Sequence, residues 1–180
     1  MPEGLVASQA AVRGACAAPP RWFREAGDVR QAWSCEGPFG RTSPRLSGSG
    51  AQRAGIRYQR KVDKMLAKQL PGVKLGQWFA FQNGGPKVRY CQPDALWPQG
   101  EALLCLEVKV RFGPDAFWQL EDLYRPVLQR ALGKDPLLGI LCKHFDPYVL
   151  APSEYVLVEE LTMDAFRRAD PKVGVFIWHP

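Results

Sequence analysis

From Ala102 to Val110 the chain reads Ala-Leu-Leu-Cys-Leu-Glu-Val-Lys-Val, an apolar run that carries a carboxylate and an ammonium two residues apart. Apolar and β-branched residues over this length predict a β-strand. The side-chain period of two then sends Glu107 and Lys109 to one face, and Leu106, Val108 and Val110 to the other. A strand this apolar belongs inside a sheet, where a charge is costly unless something offsets it. Two devices could do so: a structural ion pair between Glu107 and Lys109, or a cation held by Glu107 and a second carboxylate.

The elements around that strand follow from periodicity and turn chemistry. Ile56, Gln59, Val62, Leu66 and Leu70 recur at spacings of three and four, predicting an amphipathic helix from Gly55 that Pro71-Gly72 ends. Gln77 to Gln82, with Trp78, Phe79 and Phe81, reads as a strand, and Asn83-Gly84-Gly85-Pro86 predicts a hairpin into one strand from Val88 to Trp97. A helix from Pro114 carries Phe117, Leu120, Leu123, Tyr124, Leu128 and Ala131, with a kink expected at Pro126 and a stop at Gly133. Leu137 to Cys142 is a buried-strand run; Tyr155 to Val158 and Val173 to Trp178 are further strands on either side of a short helix, Thr162 to Ala169. The expected fold class is α/β, a mixed central sheet flanked by helices over residues 55–180.

Residues 1–54 differ in kind: they hold seven Arg and no Lys, and end in a Gly-, Ser- and Pro-rich run from Gly37 to Gly50. They are expected to form a largely irregular, Arg-bearing N-terminal arm, with one short helix from Pro20 to Trp33. Such an arm either lies along nucleic acid or straps Trp22 and Trp33 onto the domain.

A length of 180 residues fits one domain plus an arm, and 46% apolar with 23% charged residues is a globular balance. The net charge of +6 favours an anionic partner, of which nucleic acid is the commonest, although no Lys/Arg block concentrates it. Cys16, Cys35, Cys91, Cys105 and Cys142 are odd in number and form no CxxC pair, which points to free thiols in a reducing compartment. No run approaches the ~18 apolar residues of a membrane helix. Met1 to Pro20 lacks a basic start and carries Glu3, unlike a secretory signal. The expectation is an intracellular, cytoplasmic protein (host cytoplasm if phage-encoded) with no membrane partner.

Asp94 follows Pro93 in the hairpin's second strand. Asp94 and Glu107 could hold a hard divalent cation, and carboxylate oxygens suit Mg2+ or Mn2+. The Val108 carbonyl could be a further ligand, and the Lys109 ammonium could position a water or stabilise developing negative charge. Gln92-Pro93-Asp94, followed thirteen residues past the Asp by Glu107-Val108-Lys109, resembles the signature of the PD-(D/E)XK nuclease superfamily. The element order from Gly55 to Cys142 is similar to that superfamily's restriction-endonuclease-like αβββαβ core, so the resemblance covers about half the chain.

The resemblance implies that Asp94 and Glu107 bind the metal and that Lys109 is the catalytic lysine. It implies a Mg2+-dependent endonuclease acting on DNA, of junction-resolving or repair type, and a homodimer where two cuts need two sites. The first helix lacks the Glu that many members place there; Gln59, with Asp63 one turn later, stands in that stripe, and Gln59 sits better between Ile56 and Val62. Some exonuclease-like branches use a Gln and a Tyr four apart on the helix after the site. Here Gln119 and Tyr124 are five apart, which argues against that branch; Gln119 could still touch substrate or the active-site edge.

Arg57, Arg60, Lys61 and Lys64 on the first helix, and Arg111 beyond the site, would suit a phosphate track. His144 and His179 have no ligand-spaced partners and read as surface residues. A second expectation is a non-catalytic nucleic-acid-binding or assembly module that keeps the fold without the chemistry.

Overall fold

The computed structural model describes residues 25–38, 50–146 and 154–180. The strands among these residues are β1 (Gln31–Cys35), β2 (Lys74–Leu75), β3 (Trp78–Gln82), β4 (Arg89–Cys91), β5 (Ala95–Gln99), β6 (Ala102–Arg111), β7 (Leu137–His144), β8 (Tyr155–Leu157) and β9 (Val173–Ile177). The helices are α1 (Gly50–Gln69), α2 (Pro114–Trp118), α3 (Arg125–Leu132) and α4 (Met163–Ala169), with a π-helical turn, Gln119–Tyr124, joining α2 to α3. The fold is mixed α/β around a central mixed sheet. No helix among the described residues is long and apolar enough to cross a membrane.

Six strands form the central sheet in the order β2-β5-β6-β7-β9-β8. β5 runs antiparallel to β6, while β6, β7, β9 and β8 are mutually parallel neighbours. On one face, Tyr58, Val62, Met65 and Leu66 of α1 and Phe166 of α4 pack with Leu104, Leu106 and Val108. On the other face, Phe117, Leu120, Tyr124, Val127 and Leu128 pack with Cys105, Ile140, Cys142 and Val175. β6 is therefore covered by helices on both faces, which explains its near-continuous apolar sequence.

The sequence predicts one strand from Val88 to Trp97, but the chain breaks there. β4 pairs with β3 in a separate three-stranded sheet ordered β1-β3-β4, and β5 pairs with β6 in the central sheet. Pro93, which has no N–H for a ladder and restricts the residue before it, lies at the break. A second difference concerns the N-terminal segment. Gln31–Cys35, which includes Trp33, is a strand paired with β3 and not part of a helix; 25–38 thus belong to the packed body, while Pro20 and Trp22 lie outside the described residues. α1 also starts at Gly50, before the predicted Gly55.

The third difference is at Pro126. The helix is not simply kinked: it widens into the π turn just before the proline, where the Arg125 N–H donates to the Leu120 carbonyl five residues back. Pro126 cannot donate to the Asp122 carbonyl four residues earlier. The Ala26 N–H reaches that carbonyl at 2.9 Å and fastens the segment before β1 to the helix. Gly133 ends α3 at φ 66°, a left-handed cap as its position predicts.

Two glycines set the seat of α4. A Cβ on Gly139 would lie 2.5 Å from Phe166 and 2.6 Å from Leu106, and one on Gly174 would lie 2.5 Å from Phe166. The Phe166 ring thus lies directly on the backbones of β7 and β9. Gly139→Ala is expected to destabilise the protein by about 1–3 kcal/mol through overpacking, lowering Tm in a thermal melt. Pairing it with Phe166→Leu should recover part of that loss.

Candidate metal and acid–base centre at the end of β6

The break at Pro93 delivers Asp94 to the flank of β6. The Val108 N–H donates to Asp94 Oδ2 at 2.7 Å, so the carboxylate is pinned to the strand that carries Glu107 and Lys109. Glu107 is 4% exposed, the one charged side chain in the core of the described residues. Lys109 Nζ lies 2.9 Å from Glu107 Oε1, and Glu107 Oε2 is buried without a hydrogen-bond partner.

The Lys109 ammonium is held on three sides. Besides Glu107, it lies 3.3 Å from Asp115 Oδ2 and donates to Gln119 Oε1 at 2.8 Å. Its three donors each have an acceptor. Asp115 is placed by the first turn of α2, and Gly113 leaves room for it: a Cβ there would sit 2.6 Å from Asp115 Oδ1. Sequence reasoning passed over Asp115. The available signal was a carboxylate one helical start beyond Lys109, after a Gly-Pro pair.

The π turn gives the spacing of Gln119 and Tyr124 its meaning. In an α-helix, residues five apart diverge in direction, but the wider turn returns Tyr124 beneath Gln119. Gln119 Nε2 donates to the Tyr124 hydroxyl at 3.4 Å, and that hydroxyl donates to the Gln92 carbonyl at 3.2 Å. One hydrogen-bonded chain therefore runs from Lys109 through Gln119 and Tyr124 to the residue before Pro93. The extra residue that counted against this pair is absorbed by the backbone.

Of the α1 candidates, Asp63 is close enough to raise the Asp94 carboxyl, and Gln59 Nε2 donates to Asp63 Oδ1 at 2.9 Å. Gln59 thus holds Asp63 on its own helix. Arg57, Arg60, Lys61 and Lys64 are exposed along α1, and Arg111 is exposed two residues past Lys109 on the same face of β6. His144, at the end of β7, and His179, two residues past β9, have ring centroids 6.3 Å apart.

The electrostatics are those of crowded carboxylates. Burial, and then the Glu107 charge, push Asp94 well above the usual carboxylate range, against the pull of the Val108 N–H and Lys109. Burial raises Glu107 as well, opposed by Lys109 and then by the nearby Tyr124 hydroxyl, which donates to the Gln92 carbonyl and leaves Oε2 unsatisfied. Burial alone would lower Lys109, but Glu107 and Asp115 outweigh it and raise its pKa, so it stays an ammonium. Burial, Glu107 and Asp94 together raise Tyr124, which keeps its proton.

Among the described residues no group of three or more His, Cys, Asp and Glu side chains is gathered to hold a metal ion. Asp94 and Glu107 are a two-carboxylate set. Such a set fits Mg2+, which keeps several waters and takes one or two carboxylates plus substrate phosphate oxygens. The partnerless Glu107 Oε2 is the atom that a cation would satisfy.

Asp94 carries a folded-state pKa above its unfolded value, so its contribution to stability is present at low pH and lost as pH rises through the folded value. Asp94→Asn, which retains an acceptor for the Val108 N–H, should therefore raise Tm in EDTA at neutral pH. A gain of about 2–4 °C corresponds to ~1 kcal/mol in a chain of this size. The gain should shrink toward about pH 4, where unperturbed carboxylates protonate. Melts across that range check both points, and an equal gain at every pH would refute the electrostatic account. Comparison with protein-family models, curated proteins and solved structures finds no match to this chain.

Proposed function

We propose that the chain is a Mg2+-dependent nuclease of the PD-(D/E)XK type that hydrolyses DNA phosphodiester bonds. The observation that carries this reading is the buried Glu107 carboxylate with one oxygen on Lys109 and the other without a partner, beside the Asp94 carboxylate that Val108 pins to the same strand. A purely structural ion pair would leave both the orphan oxygen and the second crowded acid unexplained.

When bound, the cation would polarise the scissile phosphate and lower the pKa of the attacking water. Asp94 and Glu107 would hold it, with the Val108 carbonyl as a further ligand. The Lys109 ammonium, fixed by Glu107, Asp115 and Gln119, would orient the water and stabilise negative charge developing on the phosphate. Arg57, Arg60, Lys61, Lys64 and Arg111 suit phosphates on either side, since they are exposed and the chain carries a net charge of +6.

Gln119 and Tyr124 bear on the subtype. Their contact across the π turn brings together the two residue types that exonuclease-like branches carry four apart. This favours a nuclease that works from strand ends, beside the structure-selective endonuclease that the sequence suggests.

The test incubates purified protein with branched, linear and covalently closed circular DNA and Mg2+ or Mn2+. Asp94→Ala, Lys109→Ala and EDTA should each reduce cleavage by about 100-fold or more, the scale of removing one transition-state contact. Cleavage of linear but not circular DNA would assign end-dependent activity. Mg2+ should also raise the Tm of the wild type, more at about pH 8 than at about pH 5.5, because its ligands must lose their protons. No cleavage and no Mg2+ shift would leave the non-catalytic binding or assembly module as the function.

A further inference from the structure

Away from the β6 centre, the three-stranded sheet turns one face to the core and the other outward. Phe79, Phe81 and Cys91 lie in the core, so their neighbours in sequence project from the opposite face. There the register sets Trp33 of β1 opposite Ala80 of β3, and Ala80 opposite Tyr90 of β4. These three form one cross-strand row. Trp33 is 41% exposed and Tyr90 46%, while Ala80 between them is 1% exposed, so the surface offered at this row is that of the two rings. Neither ring has an aromatic or hydrogen-bond partner among the described residues.

The row is set among polar and basic groups. One step along the same face, Gln31 lies opposite Gln82. At that end of the sheet Arg30 and Lys87 are exposed; Asp28, 3.8 Å from Arg30, is itself exposed and offsets only part of this charge. Large aromatic rings held in the open on a rigid sheet, with amides beside them and cations at the rim, have the chemistry that single-stranded nucleic acid requires. Every base offers a π-face to stack, the amides reach base edges, and the cations face the backbone. A duplex keeps its bases stacked internally and has none to give.

We propose that the outer face of the β1-β3-β4 sheet, through Trp33 and Tyr90, binds single-stranded nucleic acid. Tyr90 precedes Asp94 by four residues, a span of at most about 14 Å. A strand stacked on the rings is thereby held near the β6 centre. Only this link to cleavage rests on the proposed nuclease function; the binding itself does not.

The experiment measures fluorescence anisotropy of a labelled oligothymidylate, its oligouridylate counterpart and a duplex, all in EDTA so that nothing is cut. Trp33→Ala and Tyr90→Ala should each weaken single-strand binding about 5- to 100-fold, the range of one lost base–aromatic stack. Trp33→Phe and Tyr90→Phe should stay close to wild type, whereas Trp33→Leu and Tyr90→Leu, equally apolar but without a π-face, should fall toward the Ala values. The comparison of Phe with Leu carries the test even if an Ala variant folds poorly. A preference between the DNA and RNA probes names the strand.

Unchanged binding in the Ala and Leu variants, or tighter binding to duplex than to either single strand, would overturn the proposal. So would a loss of self-association in these variants, by size-exclusion chromatography, with binding intact, because the face would then serve a second copy of the chain. Asp94→Ala separates the two proposals: it should abolish cleavage and leave single-strand binding as it was.

Discussion

Glu107 has almost no water around it and sits between β5 and β7 in the middle of the central sheet, so its charge must be met from within the protein. Lys109, two residues on and nearer the strand's exit, meets it on one oxygen. That ion pair organises what surrounds it. The ammonium has two further donors, and these draw in Asp115 from α2 and Gln119 from the π turn. One side chain thus ties the sheet to the helix that leaves it, and a charge on either side of the pair cannot be removed without stranding the other.

Two prolines extend this arrangement by withholding a donor. Pro93 interrupts the ladder, which lets the chain leave one sheet and enter another, and the residue at that turn is the aspartate that Val108 captures. Pro126 leaves the Asp122 carbonyl without its helical donor, and Ala26 takes it up. The same helix widens at Gln119–Tyr124 and brings two side chains into contact. In both places a missing N–H turns a regular element into a device for aiming side chains.

Long periodic elements were legible before any coordinates: the amphipathic α1, the apolar β6 and β7, and the Gly133 cap all follow from patterning and turn chemistry. Glu107 and Lys109 were legible because charge on an apolar strand is anomalous, and Asp94 because it follows Pro93 in the motif that the resemblance rests on. What was hidden depends on backbone geometry that no periodicity encodes. A helical wheel drawn at 3.6 residues per turn separates Gln119 from Tyr124, and only a π turn unites them. β1 was hidden because Gln-Ala-Trp-Ser-Cys has little strand character of its own, and its pairing with β3 supplies what local propensity lacks. Asp115 was overlooked for the opposite reason, since a carboxylate in the first turn of a helix is so ordinary that it draws no notice.

The centre and the exterior have opposite electrostatic characters. Asp94, Glu107 and Asp115 face the single ammonium of Lys109, whereas α1 shows solvent Arg57, Arg60, Lys61 and Lys64 and the chain as a whole is at +6. A basic exterior attracts a polyanion, but an acidic centre repels the phosphate that arrives. Protons can relieve the crowding, and burial pushes the carboxyls of both Asp94 and Glu107 toward holding theirs. Under the proposed function a divalent cation is the other solution, and it relieves the carboxylates and accepts the phosphate at once. Cation and proton then compete for the same oxygens. The burial that makes the two acids costly to ionise is thereby the feature that would tie activity to pH.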